Sequence, residues 1–251
     1  MVSSHSHIFP NQYNRLIEPF LGSGAVFFSM RPKRAILSDL NADLIESYQA
    51  IKDHSAAVQK LLEKHHKNHS KEYYYKMRAS KPRTMVSKAA KFIYLNRTCW
   101  NGLYRVNLKG EFNVPVGTKT NVILDSDNFE GVASLLSNAD ISVCDFEVTI
   151  DQAMANDLVF IDPPYTVKHN NNGFLKYNET LFSWDDQIRL RDAIERAVAR
   201  GAFVLLTNAK HKCIEELYEG IGEHLCLSRS SVISGKTSAR GKYEEIIVKC
   251  Y

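Results

Sequence analysis

Few cysteines, no long apolar run and no internal repeat limit what this 251-residue chain can be. No stretch approaches the roughly 20 apolar residues of a membrane span, and the start, Met1-Val-Ser-Ser-His-Ser-His7, lacks the basic-then-apolar order of a secretion signal. No membrane partner is expected, and the expected location is cytoplasmic. Cys99, Cys144, Cys213, Cys226 and Cys250 are scattered without a Cys-x-x-Cys pair, which points to structural thiols in a reducing compartment. His65, His66 and His69 stand among Lys64, Lys67 and Lys71 with no carboxylate or thiol at ligand spacing; they read as a solvated basic helix face, and no metal is expected. A third glycine after Gly22 and Gly24 is also missing, because Phe27 takes its place. This disfavours a pyrophosphate site and with it a nicotinamide-dependent Rossmann enzyme.

At this length the chain can bury a full core, as one α/β domain or as a domain carrying an insert. Its charge is unevenly spread. Between Lys60 and Lys119, 14 Lys and Arg stand against Glu63, Glu72 and Glu111; that segment carries +11, leaving −7 for the rest of a chain whose total is +4. A basic middle in an acidic protein suggests a nucleic-acid-facing segment, although a solvated helix before Pro82 explains part of it.

Asp157-Leu-Val-Phe-Ile-Asp162-Pro163-Pro164-Tyr165 runs from a buried-type strand into a rigid turn with an acid and an aromatic ring. The prolines fix φ and lack N–H groups, and Asp162 falls at the carboxyl end of the strand, where open α/β sheets bind ligands. The plainer alternative is a stiffened turn whose Asp caps the next segment. Upstream, Arg15 to Glu18 reads as a first strand feeding a Gly22-Ser-Gly24 turn and a helix from Ala25 to Met30. Arg34 to Asp39 reads as a second strand. Asp39 is placed either to accept bonds from the ribose hydroxyls of a nucleoside-like cofactor or to cap the following helix, with Asn41 a rival cap. Helical periodicity continues to about Arg78, Pro82 breaks it, and Ser87 to Leu95 resumes it. From Asn96 to Gly117, aromatic, amide and Arg residues alternate with apolar ones around Lys109-Gly110, as in a β-hairpin with a polar face, whether a base-reading one or an ordinary surface hairpin. An Asn- and Asp-rich linker leads to a third strand, Ile141 to Asp145-Phe146. Ser183 to Arg200 reads as a capped amphipathic helix, Gly201 to Asn208 as strand five, and His224–Ser230 with Tyr243–Tyr251 as closing strands.

Glu18-Pro-Phe-Leu-Gly-Ser-Gly, Asp39, Asp145-Phe146 and Asp162-Pro-Pro-Tyr165, in this order at strand ends, resemble the Dam-type DNA adenine-N6 methyltransferases. Tyr94-Leu-Asn-Arg97, Asn101-Gly-Leu and Gly110-Glu-Phe-Asn-Val-Pro extend the likeness from about Asn14 to the C-terminus. The resemblance implies an α/β, Rossmann-like fold with a seven-stranded, mostly parallel sheet, S-adenosylmethionine (AdoMet) as methyl donor, and a helical and hairpin recognition insert. We expect the catalytic part at 1–54 and 136–251 and the insert at 55–135. It further implies Glu18, Phe20, Gly22 and Gly24 shaping the AdoMet site, Asp39 on its ribose, and Asp145 and Phe146 on its adenine. Asp162, Pro163, Pro164 and Tyr165 would act on adenine N6. Arg97, Trp100, Asn101, Leu103, Arg105, Asn107 and Pro115 would contact double-stranded DNA, with GATC the expected target and a restriction or defence system the expected setting. The family's N-terminal Trp-x-Gly-Gly-Lys segment, which closes over AdoMet, has no counterpart here. Asn11, Tyr13 or the His5/His7 tail would cover the cofactor instead; the alternative expectation is a silent DNA-binding relative. If the basic segment tracks phosphates, affinity for duplex DNA falls by about 10³-fold or more between roughly 50 and 200 mM salt. A flat dependence in an anisotropy titration would remove that segment from the contact.

Overall fold

A computed structural model of the chain describes residues 6–107, 110–166, 182–230 and 242–251. The alternation read from the sequence is present as β1 (Leu16–Glu18), α1 (Ala25–Met30), β2 (Ala35–Asp39), α2 (Ala42–Lys67), α3 (Lys71–Ala79) and α4 (Met85–Thr98). It continues with α5 (Phe129–Leu136), β3 (Ala139–Val143), α6 (Phe146–Ile150), β4 (Leu158–Ile161), α7 (Trp184–Ala199), β5 (Phe203–Ala209), α8 (Lys212–Leu217), β6 (Glu223–Ser230) and β7 (Lys242–Cys250). The strands form one seven-stranded sheet in the order β3-β2-β1-β4-β5-β7-β6. Pairing is parallel from β2 through β1 and β4 to β5, and β7 runs antiparallel to β5 and β6. β1 and β4 are buried along their whole length, as strands covered on both faces must be. The expected α/β, mostly parallel architecture is therefore present. Among the described residues no helix is long and apolar enough to cross a membrane.

The chain forms two compact units, residues 1–40 with 144–251, and residues 41–143. In the first, Ile17, Val159, Ile161, Val204 and Leu206 of the sheet share a core with Phe146, Ile150, Leu190, Ala193, Ile194 and Ala197. Leu190, Ala193, Ile194 and Ala197 are spaced along α7 as a buried helix stripe requires. A reciprocal Ser183–Asp186 capping box starts the helix. Ile8 and Phe9 are buried too, Phe9 lying 6.2 Å from the Phe160 ring, and the Tyr251 hydroxyl donates to the Ile8 carbonyl.

In the second unit α2 and α4 pack around buried Val58, Leu62, Ala89, Ala90, Tyr74 and Tyr94. Here the solvated-face reading is corrected for His65 and His69, while His66 remains exposed. His65 is buried against Tyr94 and bonded to the Tyr73 hydroxyl at 2.8 Å, His69 bonds the Tyr94 hydroxyl at 2.9 Å, and His66 accepts the Val122 N–H. Burial, and then Lys64, lower the His65 pKa. The linker also contains a helix the reading lacked, α5, whose Asn128 cap accepts the Gly131 N–H and whose Phe129 and Leu136 are buried.

Arg15 and Asp157 join the starts of β1 and β4. Two guanidinium nitrogens reach the carboxylate at 2.5 to 3.2 Å, the same carboxylate accepts the Met154 N–H, and Asp157 is 1% exposed. Asp157→Ala strands part of this set and is expected to cost about 2–3 kcal/mol. Chemical denaturation measures it; a change under about 0.5 kcal/mol would show the pair to be dispensable.

Candidate active site and nucleic-acid interface

The order of the sheet reverses between β1 and β4, and ligands of open α/β sheets lie outside the carboxyl ends at that point. Glu18 ends β1, and Asp162 follows β4 directly. After β1 the chain turns tightly: the Gly24 N–H donates to the Leu21 carbonyl at 2.7 Å, and the Leu21 N–H to Ser38 at 2.9 Å. Gly22 has φ +48°, and a Cβ there would meet nothing within 4 Å, so the turn borders open space. Its N–H donates to Asp39 Oδ2 at 3.0 Å. Asn41, not Asp39, caps α2, by accepting the Leu44 N–H. The capping alternative for Asp39 is thus set aside, and its carboxylate accepts a bond from the glycine turn.

Asp145 lies just beyond β3, where it caps α6 through the Glu147 N–H and pairs with Arg189 Nη2 at 2.9 Å. The Phe146 ring stacks on Phe20 with centroids 5.3 Å apart, and the Arg189 guanidinium stands 4.8 Å from its centroid. With Phe182 edge-on to Phe20, Phe146 is 3% exposed. Arg189 was not singled out from sequence; nothing distinguishes it there from the other charges of α7.

At the end of β4, Asp162 is exposed, Pro163 buried and Tyr165 half-buried. The Thr207 hydroxyl of β5 donates to Asp162 Oδ1 at 2.6 Å. The structure thus gathers Glu18, Phe20, Gly22, Gly24, Asp39, Asp145, Phe146 and Asp162 to Tyr165 in one unit, at one edge of the sheet. Thr207 is a residue the sequence offered only as part of a strand.

The other predicted residues lie in residues 41–143. The segment read as a hairpin has antiparallel arms that bridge at Cys99–Val116 and Val106–Phe112 rather than continuous strands. The Trp100 N–H donates to the Pro115 carbonyl at 2.9 Å, and Gly117 lies so close to Cys99 that a Cβ would stand 2.4 Å from its carbonyl oxygen. The Tyr74 hydroxyl and Arg78 both donate to the Val114 carbonyl and anchor the returning arm. Trp100 is 53% and Leu103 44% exposed, and Asn101 turns between them at φ +54°. Arg105 donates through Nε to Asn113, and the Asn107 side chain exchanges two bonds with Glu111. Arg97 is differently placed: it forms a bidentate pair with Asp127 at 2.5 and 2.7 Å and donates to the Val122 carbonyl.

A family model for D12 class N6 adenine-specific DNA methyltransferases matches residues 4–231. The chain belongs to this family. It is 37% identical over 254 residues to the type II methyltransferase M1.LlaDCHI of Lactococcus lactis subsp. cremoris, covering 98% of this chain and 89% of that protein. It is 36% identical to the type II methyltransferase M.MjaIII of Methanocaldococcus jannaschii, covering 93% and 88%. The DNA adenine methylase of Escherichia coli (strain K12) is 31% identical, covering 92% of this chain and 84% of the relative.

Membership of the D12 family implies AdoMet as the methyl donor. Glu18 is 2% exposed, and its Oε1 has no hydrogen-bond partner among the described residues. An orphaned buried carboxyl oxygen beside a glycine turn that faces open space is what an absent polar ligand leaves behind. The residues therefore fit a bound nucleoside-type cofactor. Burial pushes the Glu18 pKa up to about 8; a hydrogen bond from the Phe27 backbone opposes this, and the Asp162 charge adds to it. The folded value lies above the ordinary 4.5, so between about pH 4.5 and 8 the native state keeps a proton the unfolded chain has lost. Stability from this group is full below that window and declines as pH rises through it. Glu18→Gln removes the decline: its melting temperature is expected to gain on the parent's steadily from pH 5 to about 9, by several kcal/mol equivalent at the alkaline end. Parallel curves would refute the neutral, buried state.

Proposed function

We propose that this D12 methyltransferase modifies adenine N6 within GATC of duplex DNA, on a base flipped out of the helix. The observation that carries this reading is the Asp162 carboxylate, held by Thr207 at the sheet edge where the glycine turn and Glu18 also lie. Adenine N6 is a poor nucleophile because its lone pair is delocalised into the ring. Asp162 and the Pro163 carbonyl each accept one N6–H bond, which turns the lone pair out of conjugation. Pro163 and Pro164 have no N–H to compete for those acceptors, and Tyr165 stacks on the extruded base. AdoMet, when bound, supplies the electrophilic methyl group. Glu18, Phe20, Gly22 and Gly24 shape its site, Asp39 takes the ribose, and Asp145 with Phe146 takes the adenine, Arg189 sharing or releasing the Asp145 carboxylate. Acceleration comes from orientation and electrostatics and invokes no metal.

Residues 41–143 carry recognition in this reading. Exposed Trp100 and Asn101 enter the stack as the adenine leaves, and Leu103, Arg105, Asn107 and Pro115 contact bases. Arg97, engaged with Asp127, supports the segment from within. The type II names of two relatives favour a restriction or defence setting.

The test is transfer of labelled methyl from AdoMet to a duplex with one GATC, beside a GTAC duplex and the Asp162→Ala protein. GATC-restricted incorporation, reduced at least about 10²-fold in the variant, is expected. Equal labelling of both duplexes would remove the GATC assignment, and near-normal activity of Asp162→Ala the catalytic one. No transfer with sequence-specific binding intact would favour a silent DNA-binding protein.

A further inference from the structure

We propose that Thr207, together with the buried Gln187–Asn208 pair, positions the Asp162-Pro163-Pro164-Tyr165 turn for methyl transfer. The proposal rests on the reading of Asp162 as the acceptor of the adenine N6–H bond. A carboxylate that must turn an amine out of conjugation has to be aimed, and misplacement by about 1 Å costs about 10²-fold in rate. The turn cannot be aimed through its own amides at Pro163 and Pro164, which have none. Two consecutive residues of β5 act on its two ends instead. Thr207 holds the start: its hydroxyl is 2.6 Å from Asp162 Oδ1 and 3.4 Å from the Ile161 carbonyl, so its single proton goes to the carboxylate. The torsion that orients an Asp carboxylate is broad, and a fixed donor on one oxygen sets its plane.

Asn208 reaches the far end through α7. Its Nδ2 donates to Gln187 Oε1 at 3.2 Å, and Gln187 Nε2 donates to the Thr166 carbonyl in a long 3.5 Å bond. The Thr166 hydroxyl donates to the Phe182 carbonyl at 2.6 Å. Thr207, Asn208 and Gln187 are fully buried, and Thr166 is 1% exposed. Uncharged polar groups in such places cost free energy unless bonded. Packing alone does not call for them: the other buried residues of this α7 face are Leu190, Ala193, Ile194 and Ala197, and valine has the shape of Thr207. What these polar groups reach is the turn.

Single-turnover transfer to unmethylated plasmid DNA at saturating AdoMet tests the idea, with Thr207→Val, Thr207→Ser, Gln187→Met and Asp162→Asn measured beside the parent. Thr207→Val is expected to slow transfer by about 10- to 100-fold while DNA affinity stays within about twofold. Thr207→Ser, which keeps the hydroxyl, is expected within about threefold of the parent, and Gln187→Met about tenfold down. Parental rates in both Thr207→Val and Gln187→Met, with Asp162→Asn inactive, would overturn the positioning role alone. So would a Thr207→Val loss that Thr207→Ser fails to rescue and that tracks a fallen melting temperature, the mark of packing. A fully active Asp162→Asn would instead remove the reading on which the proposal rests.

Discussion

Parallel pairing of β1 with β4 places Leu16 opposite Leu158 and Ile17 opposite Val159, so both strands end at the same edge of the sheet. β2 and β3 lie on one side of this pair and β5 lies on the other, the reversal of strand order beside which open α/β sheets bind their ligands. Every residue assigned to the cofactor or to the methyl acceptor comes from a segment leaving that edge. Moving either strand by one residue would turn its alternate side chains to the other face and separate Glu18 from Asp162. The Arg15–Asp157 pair at the opposite end of the same two strands is well placed to hold the register, because its carboxylate is buried and multiply bonded.

Polar atoms are distributed unequally between the two ends. At the start of β4 the Asp157 carboxylate is satisfied by Arg15 and a backbone N–H, a closed arrangement that serves stability. At the carboxyl edge, Glu18 is buried, its Oε1 has no partner among the described residues and its pKa is raised. In the proposed reading, that oxygen is bonding capacity kept for the cofactor. Thr207, Gln187 and Asn208 form a satisfied polar layer beside the proline-bearing turn.

Residues 41–143 solve a different problem. The arms of the 99–117 segment share only two bridges and gain little from ladder bonds. They depend on side chains from the helices: Tyr74 and Arg78 grip the Val114 carbonyl, and Arg97 grips Asp127. Trp100 and Leu103 are left exposed on this frame.

Long, strongly patterned pieces were legible in the residues alone. The apolar runs at β1, β2, β4 and β5, the Ser183 cap and stripe of α7, and the acids at strand ends all carry local signals. Short helices were less so: α1 was read after its glycine turn, but α5, α6 and α8, of eight, five and six residues, were not, being too short to be stable by propensity and held by tertiary packing. The hairpin reading overstated strand content, since alternation records which faces are polar but not whether backbones pair. The residues by themselves determined the order of elements, the family and the types of side chain available at the sheet edge. Tertiary structure decided their states: that Asn41 and not Asp39 caps α2, that His65 is buried, that Arg97 pairs with Asp127 and that burial raises the Glu18 pKa. It also decided that Thr207 meets Asp162 across 45 positions. Protonation and partnership depend on burial and on neighbours distant in the chain, and a local pattern carries no record of either.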